Sequence, residues 1–262
     1  MSNIHASAII EEGAKIAESA KIGPFCTIGK DAVIEENVEL VSHVSVLGKT
    51  TIGEGTRVFP FATLGGGAQH LKHMDDDTAT LTIGKNNVIR EHVTMHLGTP
   101  IGDGSTKVGD NCLFMVNTHV AHDCVVGNNV VMTNNSVIGG HVNVDDFVII
   151  GGNSAVHQWC RIGQRAMVGG MTGVEKDVIP YGLVMGDRSK LCGLNLVGLK
   201  RGGYSKDEIN DLRKAYRLLF ANEGTLAERI EDAKKIYGTH VIVKEIIEFI
   251  QGDSHRNICL AE

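Results

Sequence analysis

The sequence predicts a mainly β fold: a parallel β-helix of six-residue repeats followed by a C-terminal α-helical domain. Three observations carry that prediction. First, an aliphatic residue or Met recurs at every sixth position in three blocks, Ile4 to Leu64, Ile83 to Met95 and Val108 to Val174, with Phe114 the one aromatic member. A unit this short is one strand plus one turn, so only stacking buries its apolar side. Second, a small residue follows four positions later, as at Ala8, Ala14, Ala20, Cys26 and Ala32, and again at Cys112, Thr118, Cys124 and Ser136. One large and one small side chain per hexad suits a narrow prism with three flat faces, and three hexads make a coil of 18 residues. Third, aromatics are only 5% and Gly is 32 of 262, as a thin interior with many tight corners requires.

The elements follow in order. Gly often comes directly after the aliphatic (Gly23, Gly29, Gly53, Gly84, Gly109, Gly127, Gly163, Gly169), as corner turns need. Coils stack at roughly 4.8 Å, so backbone groups pair with the coils above and below. The period does not set the hand. The usual crossover rule favours right-handed connections. Hexapeptide solenoids, which this chain resembles, are left-handed, and the resemblance implies that hand here. Two polar, Gly-rich stretches, Gly65 to Thr80 and His96 to Lys107, break the period and leave the prism as loops. The first gathers Gln69, His70, Lys72 and His73, and loops on rigid scaffolds often carry function. The period ends near Pro180. From Ser205 the spacing turns helical: Ser205 caps a helix with Asp207 and Glu208 in its first turn and Ile209, Leu212, Tyr216 and Leu219 on one face, and Gly224 ends it. Thr225 starts a second helix with Leu226, Ile230, Ala233 and Ile236 at its apolar positions, and Val241 to Ile250 forms a third. The predicted division is 1–187 for the β-helix, with loops at 65–80 and 96–107, and 188–262 for the helical domain, which caps the solenoid's open edge.

Composition narrows the function. Net charge is −6, yet Arg188, Lys190, Lys200, Arg201, Lys206, Arg213, Lys214 and Arg217 outnumber three acids between positions 188 and 217. A basic patch on an acidic protein suits an acidic partner, whereas nucleic acid fits neither the overall charge nor the absence of interleaved aromatics. No apolar run reaches 18 residues and no basic region leads into an apolar segment, which predicts neither a membrane span nor a signal peptide. Of six cysteines, Cys26, Cys112, Cys124 and Cys160 fall at the small inward position and none forms a CxxC. They read as buried apolar groups, in keeping with a reducing cytoplasm.

The histidines are the candidate chemistry. Val120, Ile138 and Val156 are 18 apart and stack on one face, which puts His122, His141 and His157 near one edge, with His119 and Asp123 beside the first. Imidazole moves protons near neutral pH, and an adjacent carboxylate fixes its tautomer. Solvated corner histidines, or three histidines holding Zn²⁺ with an open position, fit the same spacing.

The stretches NTHVAHDC (Asn117 to Cys124), GGHVNVDDF (Gly139 to Phe147) and GGNSAVHQWC (Gly151 to Cys160) resemble one family closely. So do MVGGMTGV, IPYG and GLNLVGLKRGG, from Met167 to Gly203. The family is the UDP-N-acetylglucosamine O-acyltransferases that begin lipid A synthesis, and the resemblance covers essentially the whole chain. It implies a cytoplasmic homotrimer with active sites between neighbouring β-helices. It implies transfer of an (R)-3-hydroxyacyl chain from acyl carrier protein to the 3-hydroxyl of UDP-N-acetylglucosamine, without a metal or other cofactor. By that resemblance His122 is the general base, Asp123 orients it, and the Gly140 N–H holds the thioester oxyanion. Gln69, His70, Lys72, His96, His119, His141, His157, Gln158, Asn195 and Arg201 contact substrate. Gly170 and Arg188 set acyl length, and Lys200, Arg201, Arg213, Lys214 and Arg217 form the carrier-protein patch. Three positions depart from the family's pattern: His70 stands for an acid, Arg188 for a histidine, and Gly202 for a second arginine after Arg201. A 3-amino sugar nucleotide is the alternative acceptor.

Overall fold

The structure, a computed structural model, describes residues 3–72 and 78–261. The chain is a left-handed parallel β-helix with a small helical C-terminal part. Three sheets of nine, eight and ten strands form the prism. They begin at Ile9–Ile10 (first face), Lys15–Ile16 (second face) and Lys21–Ile22 (third face). Partners are one 18-residue coil apart, as in Ile9 with Thr27. The hexad residues and the small residues between them fill the interior, and Ile28, Val46, Ile89, Phe114, Ile138 and Ile150 have no exposed surface. Burying each such side chain contributes about 2 kcal/mol.

The glycines after the aliphatics act differently from the expectation. None of those eight has positive φ. Seven of them are glycine because coils pass too close for a side chain, Gly29 being the exception with its nearest contact at 3.4 Å: a Cβ at Gly23 would lie 1.8 Å from the Val41 carbonyl oxygen, and one at Gly84 would lie 2.2 Å from Asp110 Oδ1. The left-handed corner positions go mostly to other residues, chiefly Asn (Asn37, Asn86, Asn111, Asn117, Asn129, Asn135, Asn153), whose short amide suits that conformation.

Both interruptions are shorter than the broken period suggests. Strands Thr63–Gly66 and Thr80–Ile83 flank the first, and Thr94–His96 and Ser105–Val108 the second, so Gly65, Gly66, Thr80, His96 and Ser105 to Lys107 belong to the sheets. A register irregularity between Leu64 and Gly66 lets the first strand run on past the hexad. His73, grouped above with the first loop's polar residues, lies outside the described residues. Each loop leaves a strand of the first face and re-enters on the second, so both emerge at the same corner of the prism.

Beyond Val174 the chain adds two more strands before its first helix. Gly182–Met185 adds a last parallel strand to the third face, and Lys190–Leu194 pairs antiparallel with it, covering that sheet's edge. This hairpin carries no hexad signal. Four helices follow: α1 Leu196–Arg201, α2 Lys206–Leu219, α3 Leu226–Tyr237 and α4 Val241–Gln251. α1 is unanticipated, and α2 stops at Leu219 rather than at Gly224. Ser205 with Glu208 and Thr225 with Glu228 form reciprocal capping boxes. Ile236 is 61% exposed, so it does not join Ile230 and Ala233 inside. No helix among the described residues is long and apolar enough to cross a membrane. The tail after α4 returns to the prism, where buried Asp177 accepts hydrogen bonds from the Arg161 side chain (2.7 Å) and the Ser254 hydroxyl (2.6 Å).

Candidate active site

His122 sits at the corner between the first and second faces, where both loops emerge. Its coil places His119–Val120 on the first face and Val125–Val126 on the second, so 121–124 make the turn. Asp123 takes the left-handed conformation there (φ 59°). That turn swings its carboxylate back onto its neighbour: Asp123 Oδ2 lies 2.8 Å from His122 Nδ1. An ionised carboxylate only accepts, so Nδ1 donates and, in the neutral ring, Nε2 keeps a lone pair. Both side chains are nearly enclosed, at 10% and 2% exposure.

The second loop fixes the carboxylate. The Thr99 N–H donates to Asp123 Oδ1 (2.9 Å) and its hydroxyl to Oδ2 (2.6 Å), while the Asp123 N–H donates to Thr106 Oγ1 (2.8 Å). A Cβ on Gly102 would meet Asp123 Oδ1 at 2.5 Å, so the loop backs directly onto the acid. Thr99, Gly102 and Thr106 are absent from the sequence reading, because an ordinary Thr or Gly in a loop carries no mark of a partner some twenty residues away.

One coil on, Gly140 stacks against His122. A Cβ there would lie 2.5 Å from His122 Cε1 and 2.8 Å from Nε2, so the backbone at Gly140 runs beside the ring's open nitrogen. Among the described residues its N–H has no acceptor. The His141 ring packs edge-on to His122 (5.2 Å between centroids), with Nε2 3.7 Å from Asp123 Oδ2. Trp159 stacks flat on His141 at 3.7 Å, and His255 from the C-terminal tail meets Trp159 at 4.4 Å. Trp159 falls within the GGNSAVHQWC motif, yet its role as a platform is visible only once the coils are stacked. A cavity of about 320 Å³ opens here between His141, Asp123, Trp159 and His255.

On the first-face side, His119 and His96 meet edge-on at 5.0 Å, and His119 Nδ1 bonds Thr94 Oγ1 at 2.8 Å. Burial, then the nearby His96 and His122, pushes His119 down to about 4. Burial likewise lowers His96 and His141. His96 is buried, and its Nδ1 has no partner among the described residues. His70, from the first loop, reaches His122 edge-on at 5.7 Å. Gln69 and Lys72 are exposed beside it.

His157 does not join the column. It is exposed, and Arg256 Nη2 donates to its Nδ1 at 2.7 Å, while Arg256 Nε donates to the Gln158 carbonyl at 3.2 Å. A three-histidine metal set is therefore not assembled. The ligand-type group present among the described residues is His122, Asp123 and His141, within 4.8 Å of one another, and its Asp123 oxygens already accept from Thr99 and His122.

The remaining candidates lie elsewhere. Asn195 caps α1: its Oδ1 accepts from the Gly198 N–H and its Nδ2 donates to the Arg165 carbonyl, each at 2.9 Å, so most of its amide is already engaged. Arg201 and Asn195 line a cavity of about 630 Å³ on the third face, away from the His122 corner. Gly170 is exposed at the corner between the third and first faces, where a Cβ would meet only Gly152 backbone, at 3.4 Å or more. Arg188 is exposed, 3.5 Å from Glu175. Lys200, Arg213 and Arg217 are exposed, whereas Lys214 is paired with Asp211 at 2.9 Å. The six thiols are free; burial pushes Cys112 up to about 11 and Cys124 and Cys160 up to about 12, which keeps those three from acting as nucleophiles, while Cys192 is exposed.

Comparison with known proteins gives consistent results. A profile for the second domain of UDP-N-acetylglucosamine O-acyltransferases matches residues 177–259, and a bacterial transferase hexapeptide profile matches 105–140. The acyl-[acyl-carrier-protein]–UDP-N-acetylglucosamine O-acyltransferase of Caulobacter vibrioides is 51% identical, covering 99% of this chain and 98% of its own. That of Mesorhizobium japonicum is 53% identical, covering 98% and 91%. Among solved structures, the UDP-N-acetylglucosamine O-acyltransferase of Moraxella catarrhalis is 41% identical with a TM-score of 0.93, covering 98% of this chain and 99% of its own. The Francisella novicida acyltransferase is 37% identical with a TM-score of 0.94, covering 99% and 94%.

Proposed function

Because this chain belongs to the UDP-N-acetylglucosamine O-acyltransferase family, we propose that the His122–Asp123 pair is the proton-transfer centre of its acyl transfer. The enzyme moves an acyl chain from acyl carrier protein to UDP-N-acetylglucosamine, the first step of lipid A biosynthesis. The acyl group is an (R)-3-hydroxyacyl chain and the acceptor is the sugar's 3-hydroxyl. A hydroxyl is a weak nucleophile, so a base must take its proton as it attacks. His122 Nε2 is that base. Asp123 holds the Nδ1–H tautomer and steadies the imidazolium as it forms. The oxygen of the thioester carbonyl becomes negative in the tetrahedral intermediate and is held by the N–H of Gly140, whose Cα backs onto the His122 ring and whose N–H has no other acceptor among the described residues. The proton then leaves with the carrier's thiol. A thioester is already activated, so the step needs neither a covalent enzyme intermediate nor a metal.

The observation that carries this reading is the 2.8 Å bond between His122 Nδ1 and an Asp123 carboxylate clamped by Thr99. His119, His141 and His96, held neutral by burial, serve as hydrogen-bonding groups for sugar and thioester, with Gln69, His70 and Lys72 from the first loop. The active assembly is a cytoplasmic homotrimer, with the exposed basic residues of α1 and α2 docking the acidic carrier protein.

The test is mass spectrometry of the product from UDP-N-acetylglucosamine and a ladder of 3-hydroxyacyl carrier proteins. A mono-acylated sugar nucleotide is expected, with His122→Ala lowering its rate by about 10²–10⁴-fold. Product with only a 3-amino sugar nucleotide would move the acceptor to an amine. An unaffected His122→Ala variant would remove the base.

A further inference from the structure

We infer that Arg165 is a phosphate-binding residue, supplying the second cation of an anion site that Arg201 begins; the inference rests on the acyl-transfer reading above. The site is the cavity of about 630 Å³ between the third face and α1. Its wall is the outward row Val131, Ile149, Met167 and Leu183, and its charged groups are Arg165 and Arg201 alone, with no acid in the lining.

Arg165 is held there by everything except a counter-charge. It turns the corner in the left-handed conformation (φ 56°). Its N–H donates to the Asp146 carbonyl at 2.9 Å, and its carbonyl accepts from Asn195 Nδ2 at 2.9 Å, which ties it to the start of α1. Its guanidinium lies over the Phe147 ring at 4.0 Å and faces the Tyr204 ring at 5.5 Å. Among the described residues no carboxylate comes within ion-pair distance of Arg165 or Arg201. An arginine fixed by rings keeps its N–H fork for a ligand, and two such forks on one cavity suit a phosphate ester.

Gly202 makes room for this arrangement. A Cβ at Gly202 would lie 2.8 Å from Arg165 Nη1 and 3.2 Å from Cζ. Any side chain at 202 would therefore displace the guanidinium. The positive charge absent after Arg201 in the sequence is returned in space by a residue 37 positions earlier, from another part of the fold. Two phosphate groups in the reaction have this chemistry: the diphosphate of the nucleotide sugar and the phosphodiester in the carrier protein's arm.

Steady-state kinetics varying each substrate in turn, with calorimetric titration of UDP and of 4′-phosphopantetheine, test the assignment. Arg165→Ala is expected to raise KM for one substrate by about tenfold or more with kcat nearly unchanged. A matching loss of UDP affinity identifies the nucleotide as the ligand, and loss of phosphopantetheine affinity identifies the carrier arm. Arg165→Lys should recover little, because an ammonium offers no fork. The pair Arg165→Ala with Gly202→Arg should recover most of the KM, whereas Gly202→Arg alone should not improve it. A purely structural role would lower melting temperature and kcat, and the arginine at 202 would not rescue it. Unchanged KM and affinities in Arg165→Ala, with the parent enzyme active, overturn this inference alone. A parent enzyme that neither binds UDP nor forms product overturns the acyl-transfer reading with it.

Discussion

A methyl group at Gly140 would sit 2.8 Å from His122 Nε2, the nitrogen proposed to take the substrate's proton. Gly140→Ala must push the His122 ring aside while the Asp123 clamp holds its far edge. Displacements near 1 Å cost about 10²-fold in rate, so kcat should fall by about that much while the melting temperature stays close to the parent's, as kinetics and thermal melting on one preparation would reveal. His119 carries the second residue-scale prediction. Its folded pKa is about 4 against an ordinary 6.5, so between those values the unfolded chain binds more protons than the folded one. Stability from this group is complete above about pH 6.5, declines as pH falls, and levels off below about 4. The full difference is on the order of 3 kcal/mol per chain. Melting temperatures from pH 7 to 4.5 should fall less steeply in His119→Gln than in the parent; parallel curves would contradict it. At this scale the sequence is half legible. His122 beside Asp123 is local and readable, and so is the missing side chain at Gly140. Thr99, Trp159 and Arg165 act through contacts made by stacking coils, and no spacing rule marks them.

The elements divide along the same line. Hexads write their period openly, because every unit must bury the same two positions, and the helix starts at Ser205 and Thr225 are legible from their hydroxyls, although the reciprocal capping boxes appear only in the structure. The hairpin Gly182–Leu194 and α1 have no repeat behind them. They exist because the last coil's edge needs covering, a need that arises only in the assembled prism. The interior also holds a local irregularity. Thr118, Ser136, Ser154 and Thr172 occupy one inward column, and Ser154 Oγ donates to the Gly169 carbonyl at 2.7 Å while accepting from the Thr172 N–H. Thr118 Oγ1 and Ser136 Oγ are buried with no partner among the described residues. An orphaned buried hydroxyl costs about 1–3 kcal/mol, so Thr118→Val, which keeps the shape, should stabilise by about 1 kcal/mol, while Ser154→Ala should destabilise by a similar amount. Chemical denaturation of the two variants, read as midpoint shifts of opposite sign, checks both.

At the scale of the whole molecule, one fact organises the rest: the two candidate halves of the site are on different sides of the same chain. His122, Asp123, Gly140 and His141 occupy the corner between the first and second faces, with both loops. Arg201, Arg165 and the cavity they line belong to the third face and α1. A β-helix is a rigid prism, because every coil is hydrogen-bonded to the next along three sheets. No hinge within it brings one side round to the other. If both halves serve one substrate, the second must come from a neighbouring copy, and cyclic symmetry repeats that contact at every interface. The consequence is complementation between two impaired variants, assayed with substrate well below the raised KM of Arg201→Ala. His122→Ala lacks the proposed base but keeps Arg201; Arg201→Ala lacks the cation but keeps His122. Refolded or co-expressed together, they should form mixed assemblies in which some interfaces pair an intact His122 with an intact Arg201 from the adjacent chain. With random mixing at equal amounts, roughly a quarter of interfaces are intact, so activity should return to roughly a quarter of the parent's. Mixing the separately folded variants without subunit exchange should return no more than the sum of their separate activities. If co-assembled variants, verified by differential tagging, stay at the sum of their separate activities, each chain holds its own complete site and the shared-interface arrangement is wrong.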